Sequence, residues 1–266
     1  MKSIVAKFGG TSMATAKSIG NVAKIIKSLP DCRIVVVSAP GRRFIGDEKV
    51  TDLLLQERIV QLANRFEELA QYLGVPIDLR ELRSISPHED RSLRASRGEH
   101  LSAQLLTHVL GAPWTWVDAA EVMRFHEDGS FDEATSYALI RREAEGRRLV
   151  MGGFYGATVM GRVVTFDRGG SDITGAHCAA AVQASVYYNY TDVEGVFTDD
   201  PRKNSQAQHF RELCAGDLLN MNACVVHADA VQAASAAGVP IRVASTFNPN
   251  GLSTLIRPQL ETRVAV

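Results

Sequence analysis

The alternation of short apolar runs with helical stretches of ten or more residues constrains the fold of this chain most strongly. Residues 33–38 (RIVVVS) form a continuous run rich in β-branched residues, which is typical of a strand buried on both faces of a sheet. Strands that alternate with helices of this length indicate βαβ units. We therefore predict an α/β fold in which a mainly parallel central sheet carries helices on both faces.

The individual elements are predicted from hydrophobic periodicity. Strands are predicted at residues 3–8, 33–38, 114–117, 149–154, 163–166, 186–190 and 241–244. Helices are predicted from about Thr15 until Pro30 and at residues 51–73, 99–109, 131–145 and 173–184. The clearest helix is 51–73, because its apolar residues recur at intervals of four and three and form one stripe. Residues 40–49 are predicted to form a polar loop.

Charge and cysteine content exclude several classes of protein. The 266 residues contain 29 Lys and Arg against 30 Asp and Glu, which argues against a nucleic-acid binder with a basic face. The four cysteines are scattered without a C-x-x-C pair, so we expect reduced thiols and neither a disulfide framework nor a zinc site. We recognise no signal peptide or membrane span in the sequence, and we expect a cytoplasmic protein without a membrane partner.

The first candidate site is the junction between the predicted strand 3–8 and the following helix. Lys7 is followed by Gly9 and Gly10, and backbone N–H groups beside such glycines near a helix N-terminus form anion sites. The lysine precedes the glycines, so the segment is not a Walker A motif. A tight turn without a ligand remains an alternative for this segment.

A second strand-to-helix junction with paired glycines lies at residues 166–172 (FDRGGSD). Arg168 could clamp an anion there, and Asp172 could pair with Lys7. The simpler alternative is helix capping, with Ser171 as the N-cap and Asp172 in the first turn.

Residues 190–202 present polar side chains at the carboxyl end of a predicted strand, the edge at which open parallel sheets bind ligands. Asp192 could accept a hydrogen bond from a ribose or a base. Phe197 offers a stacking face, and Arg202 could reach a phosphate. The neighbouring acidic pair is better explained as a solvated turn than as a metal site.

Residues 96–100 (SRGEH) form the fourth segment that could carry chemistry. At the predicted start of a helix, Glu99 is ordinarily a surface residue that stabilises the helix dipole. His100 is better explained as a surface or satisfied core histidine than as a metal ligand. No zinc-binding H-E-x-x-H or nucleophile-elbow G-x-S-x-G motif is present, so we predict no protein metal site and no serine hydrolase.

Taken together, these segments resemble the aspartokinases of the amino-acid kinase family. The similar motifs are KFGGTS at 7–12, a longer version of the second-strand loop at 37–41 and 50–54, SRGE at 96–99, RGGSD at 168–172, TDVEGVF at 191–197 and DPR at 200–202. Ordered matches over nearly the whole chain are far more specific than any single match. Sister kinases that act on acetylglutamate, carbamate or UMP lack this combination.

The resemblance implies a three-layer α/β/α sandwich with a mainly parallel central sheet, as in carbamate kinase. It implies ATP-dependent phosphorylation of the side-chain carboxylate of L-aspartate to 4-phospho-L-aspartate, the first step toward lysine, threonine and methionine. ATP is the implied co-substrate, with Mg²⁺, and a homodimer is expected. Residues 1–266 would form one kinase domain, with an amino-acid-binding half at about 1–160 and a nucleotide-binding half at 161–266. Aspartokinases usually continue into paired ACT domains, and we expect none here.

The resemblance also assigns roles to single residues. Lys7 would stabilise charge on the transferred phosphoryl group, and Asp172 would orient Lys7. The residues implied to bind the amino acid are Ser38, Thr51, Glu99, Arg168 and Ser171, with Arg168 on the α-carboxylate and Glu99 near the α-ammonium. The residues implied to bind ATP are Gly9, Gly10, Ser12, Thr191, Asp192, Phe197 and Arg202. No protein ligands to the metal are implied, because substrate phosphates supply most of the ligands of Mg²⁺.

The sequence departs from the family at three positions near the implied nucleotide site. Asn222 and Cys224 stand where many aspartokinases have a glycine and a lysine, and we expect one nucleotide contact to be absent. Phe197 replaces the usual tyrosine, which keeps the stacking face but removes a hydroxyl group.

Two alternatives to an aspartate kinase remain. One is a related amino-acid kinase that acts on a different carboxylate in a specialised pathway. The other is a catalytically inactive nucleotide-binding or regulatory subunit. The presence of Lys7, Arg168 and Asp172 disfavours the inactive subunit.

Overall fold

A computed structural model describes residues 3–86, 88–166, 169–201, 203–221 and 225–258. Its strands are β1 (Ile4–Phe8), β2 (Cys32–Val37), β3 (Trp114–Trp116), β4 (Arg124–Phe125), β5 (Arg148–Gly152), β6 (Tyr155–Thr158), β7 (Val163–Thr165), β8 (Val186–Thr191), β9 (Val196–Phe197), β10 (His209–Phe210), β11 (Glu212–Cys214), β12 (Ile241–Ser245) and β13 (Ser253–Arg257). Its α-helices are α1 (Ala16–Lys27), α2 (Val50–Leu55), α3 (Ile59–Leu73), α4 (Arg80–Ser84), α5 (Arg91–Leu110), α6 (Ala119–Val122), α7 (Glu133–Ala144), α8 (Gly170–Ala181), α9 (Ala215–Asn220) and α10 (Ala228–Ala236). A short 3-10 helix spans Gly10–Met13.

The central sheet has eight strands in the order β11-β13-β12-β8-β1-β2-β5-β3. Every neighbouring pair is parallel except β12 with β13, which run antiparallel. The predicted mainly parallel sheet is therefore confirmed. A smaller sheet orders β4, β6 and β7, and β9 pairs with β10.

Helices cover both faces of the central sheet, which confirms the expected three-layer α/β/α architecture. On one face, α7, α8 and α10 enclose a core that includes Val5 and Val36. On the other face, α1 and α5 enclose a core that includes Phe8 and Val35. Because successive residues of a strand point to opposite faces, β1 and β2 each contribute to both cores, as the run of β-branched residues within 33–38 predicts.

The first helix begins where its sequence predicts. Thr15 caps α1 through a capping box with Ser18, in which each side chain bonds the other residue's backbone N–H. The buried side of α1 includes Ile19, Val22 and Ile26, which are spaced three or four residues apart.

The predicted single helix over residues 51–73 is wrong. The chain forms α2 and α3 instead, and Glu57 between them has a φ of 61° that a continuous helix does not allow. The apolar periodicity runs through this break because both helices pack into one cluster, where Leu54 of α2 lies with Leu62 and Phe66 of α3. A periodic pattern alone does not separate two helices that share a core.

Two further helix starts differ from the prediction. Helix α5 begins at Arg91 instead of residue 99, because Asp90 accepts hydrogen bonds from the first N–H groups and caps the helix there. Helix α8 begins at Gly170 with Gly169 as its N-cap, at a φ of 78°. Ser171 is therefore inside the first turn, and the interpretation of Ser171 as the cap is wrong. Asp172 lies in the first turn, as expected.

The remaining composition-based expectations concern thiols and membranes. Among the described cysteines, Cys32, Cys178 and Cys214 are free thiols; Cys224 lies outside the described residues. Within the described ranges, no helix is both long enough and apolar enough to cross a membrane.

Candidate active site

A cleft of about 850 Å³ opens at the carboxyl ends of β1, β2 and β8. Ligands of open parallel sheets bind at this edge. The described residues that line the cleft are Lys7, Gly9, Gly10, Thr11, Ser38, Ala39, Pro40, Gly41, Arg42, Lys49, Thr51, Asp52, Glu99, Phe154, Gly169, Gly170, Ser171, Asp172, Thr191 and Val225. The four segments singled out in the sequence thus each contribute at least one residue to one cleft.

Lys7 and Asp172 form an ion pair in the cleft, as the sequence predicts. Lys7 lies near the end of β1, Asp172 lies in the first turn of α8, and the distance from Lys7 Nζ to Asp172 Oδ1 is 2.7 Å. The second carboxylate oxygen of Asp172 accepts a hydrogen bond of 3.1 Å from the backbone N–H of His227. Both oxygens of Asp172 are therefore engaged, which fixes the carboxylate against the lysine.

The glycines after β1 allow two backbone segments to approach closely. The N–H of Gly9 donates to the carbonyl of Tyr190 (3.1 Å), and the N–H of Gly41 donates to the carbonyl of Gly10 (2.7 Å). A Cβ atom on Gly41 would lie 2.7 Å from the carbonyl carbon of Gly10. The loop 40–49 thus packs directly on the glycine turn.

We expect Gly41→Ala to displace the glycine turn. The added methyl group would meet backbone atoms, which cannot move away as the end of a flexible side chain can. Overpacking of this kind costs ~1–3 kcal/mol, so thermal denaturation should show a lower Tm for the variant. Gly46→Ala serves as a control for the same loop; its added Cβ meets no atom within 4 Å, although its φ of 91° disfavours a side chain. A Tm for Gly41→Ala at or above that of Gly46→Ala would contradict the close packing.

Ser12 lies beneath the glycine turn and away from the cleft wall. Its side chain is fully buried, and its Oγ is 2.7 Å from Oγ1 of Thr246. The structure therefore places Ser12 as a support of the turn, while Gly9 and Gly10 themselves line the cleft.

Glu99 is a buried carboxyl group in the middle of α5, and the ordinary expectation of a surface residue at a helix start is wrong. Glu99 is only 6% exposed, and it lines the cleft. Burial raises the pKa of Glu99 to about 8, although a backbone hydrogen bond at Ala39 opposes the shift. Its Oε2 has no hydrogen-bond partner among the described residues. An unpartnered buried carboxyl oxygen beside a cleft is suited to a cationic ligand group.

The raised pKa of Glu99 predicts a dependence of stability on pH. The ordinary glutamate pKa is 4.5, so between about pH 4.5 and 8 the folded protein retains a proton that the unfolded chain releases. The free energy of unfolding should therefore fall as pH rises through this window, by on the order of 1 kcal/mol per pH unit. Glu99→Gln carries no ionisable group at this position. The Tm of the variant should therefore rise relative to that of the wild type as pH increases from 5 to 8. Parallel Tm curves for the two proteins would contradict the raised pKa.

His100 is a satisfied core histidine, as expected. Its Nδ1 lies 3.2 Å from the hydroxyl of Tyr155, and its Nε2 lies 3.0 Å from Nε2 of Gln104. Tyr155 in turn donates to Asp118 at 2.8 Å. Among the described residues, no group of three or more His, Cys, Asp and Glu side chains could hold a metal ion.

The other implied amino-acid-binding residues lie as follows. Ser38, Thr51 and Ser171 line the cleft with Glu99. Ser171 is held against Gly153, where a Cβ atom would lie 2.7 Å from the Cα atom of Ser171. Arg168 lies outside the described residues.

The implied nucleotide residues are only partly brought together. Thr191 lines the cleft, and its hydroxyl donates to the exposed Asp192 at 3.1 Å. Phe197 lies on β9 with its ring edge-on to His209 at 5.0 Å between centroids. Neither Asp192 nor Phe197 belongs to the lining of the cleft. Arg202, Asn222 and Cys224 lie outside the described residues.

Several residues at the site were missed from the sequence. His227 supports Asp172 through its backbone, and backbone donors leave no signal in residue identity. Arg42 and Lys49 of the loop 40–49 line the cleft as exposed cations. Asn189 contacts Lys7 from β8, and an amide within a strand of β-branched and aromatic residues was a signal that could have revealed it.

Comparison with known proteins identifies the family to which the chain belongs. The sequence pattern of the amino acid kinase family matches residues 2–245, and the chain therefore belongs to that family. Among curated proteins it is similar to aspartokinase 3 of Bacillus subtilis (strain 168), at 30% identity over 287 aligned residues that cover 95% of this chain and 63% of the relative.

Two solved structures of aspartate kinases are similar to this fold. The Clostridium acetobutylicum aspartate kinase superposes with a TM-score of 0.90 at 31% identity, covering 100% of this chain and 64% of that one. The Escherichia coli aspartokinase III in complex with aspartate and ADP gives a TM-score of 0.85 at 27% identity, covering 98% of this chain and 66% of that one. The chain thus spans slightly less than two thirds of the length of these relatives.

Proposed function

We propose that this chain catalyses ATP-dependent phosphorylation of the side-chain carboxylate of L-aspartate to 4-phospho-L-aspartate. The observation that carries the proposal is the placement of two features in one cleft: the Lys7–Asp172 ion pair at a glycine turn, and the buried Glu99 carboxyl with an unpartnered oxygen. The first suits a transferred phosphoryl group, and the second suits an α-ammonium group. The similarity to an aspartokinase solved with aspartate and ADP supports the same assignment.

The chemistry of the acceptor explains why few catalytic groups are needed. A side-chain carboxylate is already ionised at pH 7, so the reaction requires no general base. Catalysis then depends on positioning two anions in line and reducing their repulsion. We propose that Lys7 stabilises charge on the transferred phosphoryl group and that Gly9 and Gly10 let phosphate oxygens approach the backbone closely. The N–H of Gly9 is engaged by the carbonyl of Tyr190, so the donor that we propose at this turn is the N–H of Gly10.

For the amino acid, we propose that Glu99 binds the α-ammonium group and Arg168 the α-carboxylate, with Ser38, Thr51 and Ser171 completing the pocket. Binding of a cation favours the ionised form of Glu99, so the proton that burial retains is released when the substrate binds. That coupling supports selection of a substrate with an amine over a simple dicarboxylate.

For the nucleotide, we propose contacts from Thr191, Asp192, Phe197 and Arg202, with the buried Ser12 supporting the glycine turn from below. Residues 1–160 would then serve mainly the amino acid, and residues 161–266 mainly the nucleotide. Both halves contribute to one sheet, because β8 of the second half pairs directly with β1 of the first.

We further propose that Mg²⁺ enters with ATP. Both carboxylate oxygens of Asp172 are engaged by Lys7 and by the His227 N–H, so phosphate oxygens and water are the natural ligands of the ion. Bound in this way, the metal would neutralise phosphate charge. We also propose that the chain forms a homodimer, for which the exposed Phe44, Ile45 and Tyr72 provide apolar surface. We propose a cytoplasmic location because the free thiols suit a reducing compartment.

The proposal is tested by coupled ADP release with L-aspartate against a panel of other amino acids and dicarboxylates. We expect turnover with L-aspartate above all other acids. Turnover of a different acid, with none for L-aspartate, would select the related kinase of another pathway. Binding of ATP without turnover of any acid would select the inactive nucleotide-binding subunit.

A further inference from the structure

The side-chain amide of Asn189 lies next to the Lys7 ammonium group, and we propose that Asn189 is a positioning residue that orients Lys7 for phosphoryl transfer. The Oδ1 atom of Asn189 accepts a hydrogen bond from Lys7 Nζ at 3.5 Å, and this contact is buried. This inference rests on the proposed function, in which Lys7 stabilises the transferred phosphoryl group.

The register of the sheet brings the two residues together. Lys7 on β1 is paired with Val36 on β2 at one side and with Asn189 on β8 at the other. Asn189 is in turn paired with Val243 on β12. Neighbours in register point to the same face of a sheet, so Asn189 is the polar partner of Lys7 in a row that valines complete on both sides.

An apolar residue would satisfy packing at this position better than an amide does. Asn189 is fully buried, and its Nδ2 makes no hydrogen bond of good geometry with the described residues. Its other polar neighbour is the Tyr187 hydroxyl, which itself donates to the carbonyl of Asp172. Burying an amide with one half unsatisfied destabilises a folded protein. The contact that the amide makes with Lys7 therefore points to a role in holding the lysine.

The two partners leave the ammonium group directed at the cleft. An ammonium has three N–H donors. Asp172 takes one at 2.7 Å and Asn189 a second, from a different direction and a different element. The third is available to the cleft that Lys7 lines. Two fixed acceptors restrict rotation about the last bonds of the lysine, which a single acceptor does not.

Strand β8 supports both members of the ion pair. Tyr187 lies two residues before Asn189 on the same face of β8, and its hydroxyl donates to the backbone carbonyl of Asp172 at 3.1 Å. One strand thus contacts the first turn of α8 through Tyr187 and the lysine through Asn189. A rigid strand of the central sheet is well suited to set their mutual position.

The variant Asn189→Leu tests this role because it fills the site with an apolar side chain of similar size. We expect kcat for ADP release to fall about tenfold, with KM for ATP and for L-aspartate nearly unchanged, since the interaction acts on the reacting group. We expect Tm to stay equal or to rise. Asn189→Asp, which keeps an oxygen acceptor, should recover part of the lost kcat.

Thr158→Val is the matched control. Oγ1 of Thr158 is also buried without a hydrogen-bond partner in the described part of the chain, but Thr158 belongs to β6, outside the cleft lining. It should leave kcat unchanged. Equal losses of kcat in Asn189→Leu and Thr158→Val, or a loss that follows a lowered Tm, would overturn the inference. So would an unchanged kcat in Asn189→Leu.

A readout without turnover separates this inference from the proposed function. The rate at which trinitrobenzenesulfonate labels Lys7, followed by peptide mass spectrometry, reports how freely the amine leaves its two acceptors. We expect faster labelling of Lys7 in Asn189→Leu than in the wild type, and an unchanged rate in Thr158→Val. If the wild type releases no ADP with L-aspartate, the proposed function fails, while an unchanged labelling rate in Asn189→Leu would refute the positioning role.

Discussion

Replacing Lys7 by alanine should reduce kcat for phosphoryl transfer to L-aspartate by about 10³-fold or more, because a preorganised charge at the reacting group is lost. Lys7 is held by Asp172 at 2.7 Å and faces the cleft, whereas Arg42 and Lys49, the other described cations of the cleft lining, are exposed. The reaction brings an anionic acceptor to an anionic phosphate, and this repulsion would be left uncompensated. Initial rates of ADP release at saturating substrates measure the effect.

The loss should not come from unfolding. Lys27→Ala is the control, since Lys27 is an exposed lysine in the last turn of α1 and does not line the cleft. We expect near wild-type kcat for that variant and circular dichroism typical of a folded α/β protein for both. Activity of Lys7→Ala within tenfold of the wild type would contradict the role of the lysine.

Replacing Glu99 by glutamine should raise KM for L-aspartate by about 100-fold, because a charge-assisted hydrogen bond to the α-ammonium group is replaced by a neutral contact. Glutamine matches glutamate in size, so α5 and the cleft wall should keep their packing. The turnover number should change much less than KM, since Glu99 contacts the part of the substrate that does not react.

The control for this substitution is Glu145→Gln, which changes an exposed carboxylate just after α7. It should leave KM for L-aspartate unaltered. An unaltered KM in Glu99→Gln, or an equal rise of KM for ATP, would show that the buried carboxyl does not recognise the amino acid.

The layer structure and much of the site could be predicted from the sequence, for identifiable physical reasons. The run 33–38 predicts a strand buried on both faces, and β2 is such a strand. Lys7 lies near the carboxyl end of β1 and Asp172 in the first turn of α8, and such positions converge at one edge of a parallel sheet. Local sequence patterns were therefore enough to predict those elements whose position follows from the periodicity of the segment itself.

The incorrect predictions concern features that are determined by long-range packing. Nothing in the periodicity of residues 51–73 reveals the positive φ at Glu57 that separates α2 from α3. Glu99 is predicted to be a surface residue if the helix begins at residue 99. Because α5 begins at Arg91, Glu99 lies in the middle of the helix and is buried. Asn189 contacts Lys7 because β1 and β8 are neighbouring strands of the sheet, and the sequence of neither segment predicts the strand order.

The most direct test of the proposed function is chemical identification of the product. Acyl phosphates react with hydroxylamine, so the protein should be incubated with ATP, Mg²⁺, L-aspartate and hydroxylamine, and the products analysed by mass spectrometry. We expect the hydroxamate of the aspartate side chain, formed in step with ADP and absent with Lys7→Ala. ADP formation without any hydroxamate, or a hydroxamate only from a different acid, would contradict phosphorylation of aspartate.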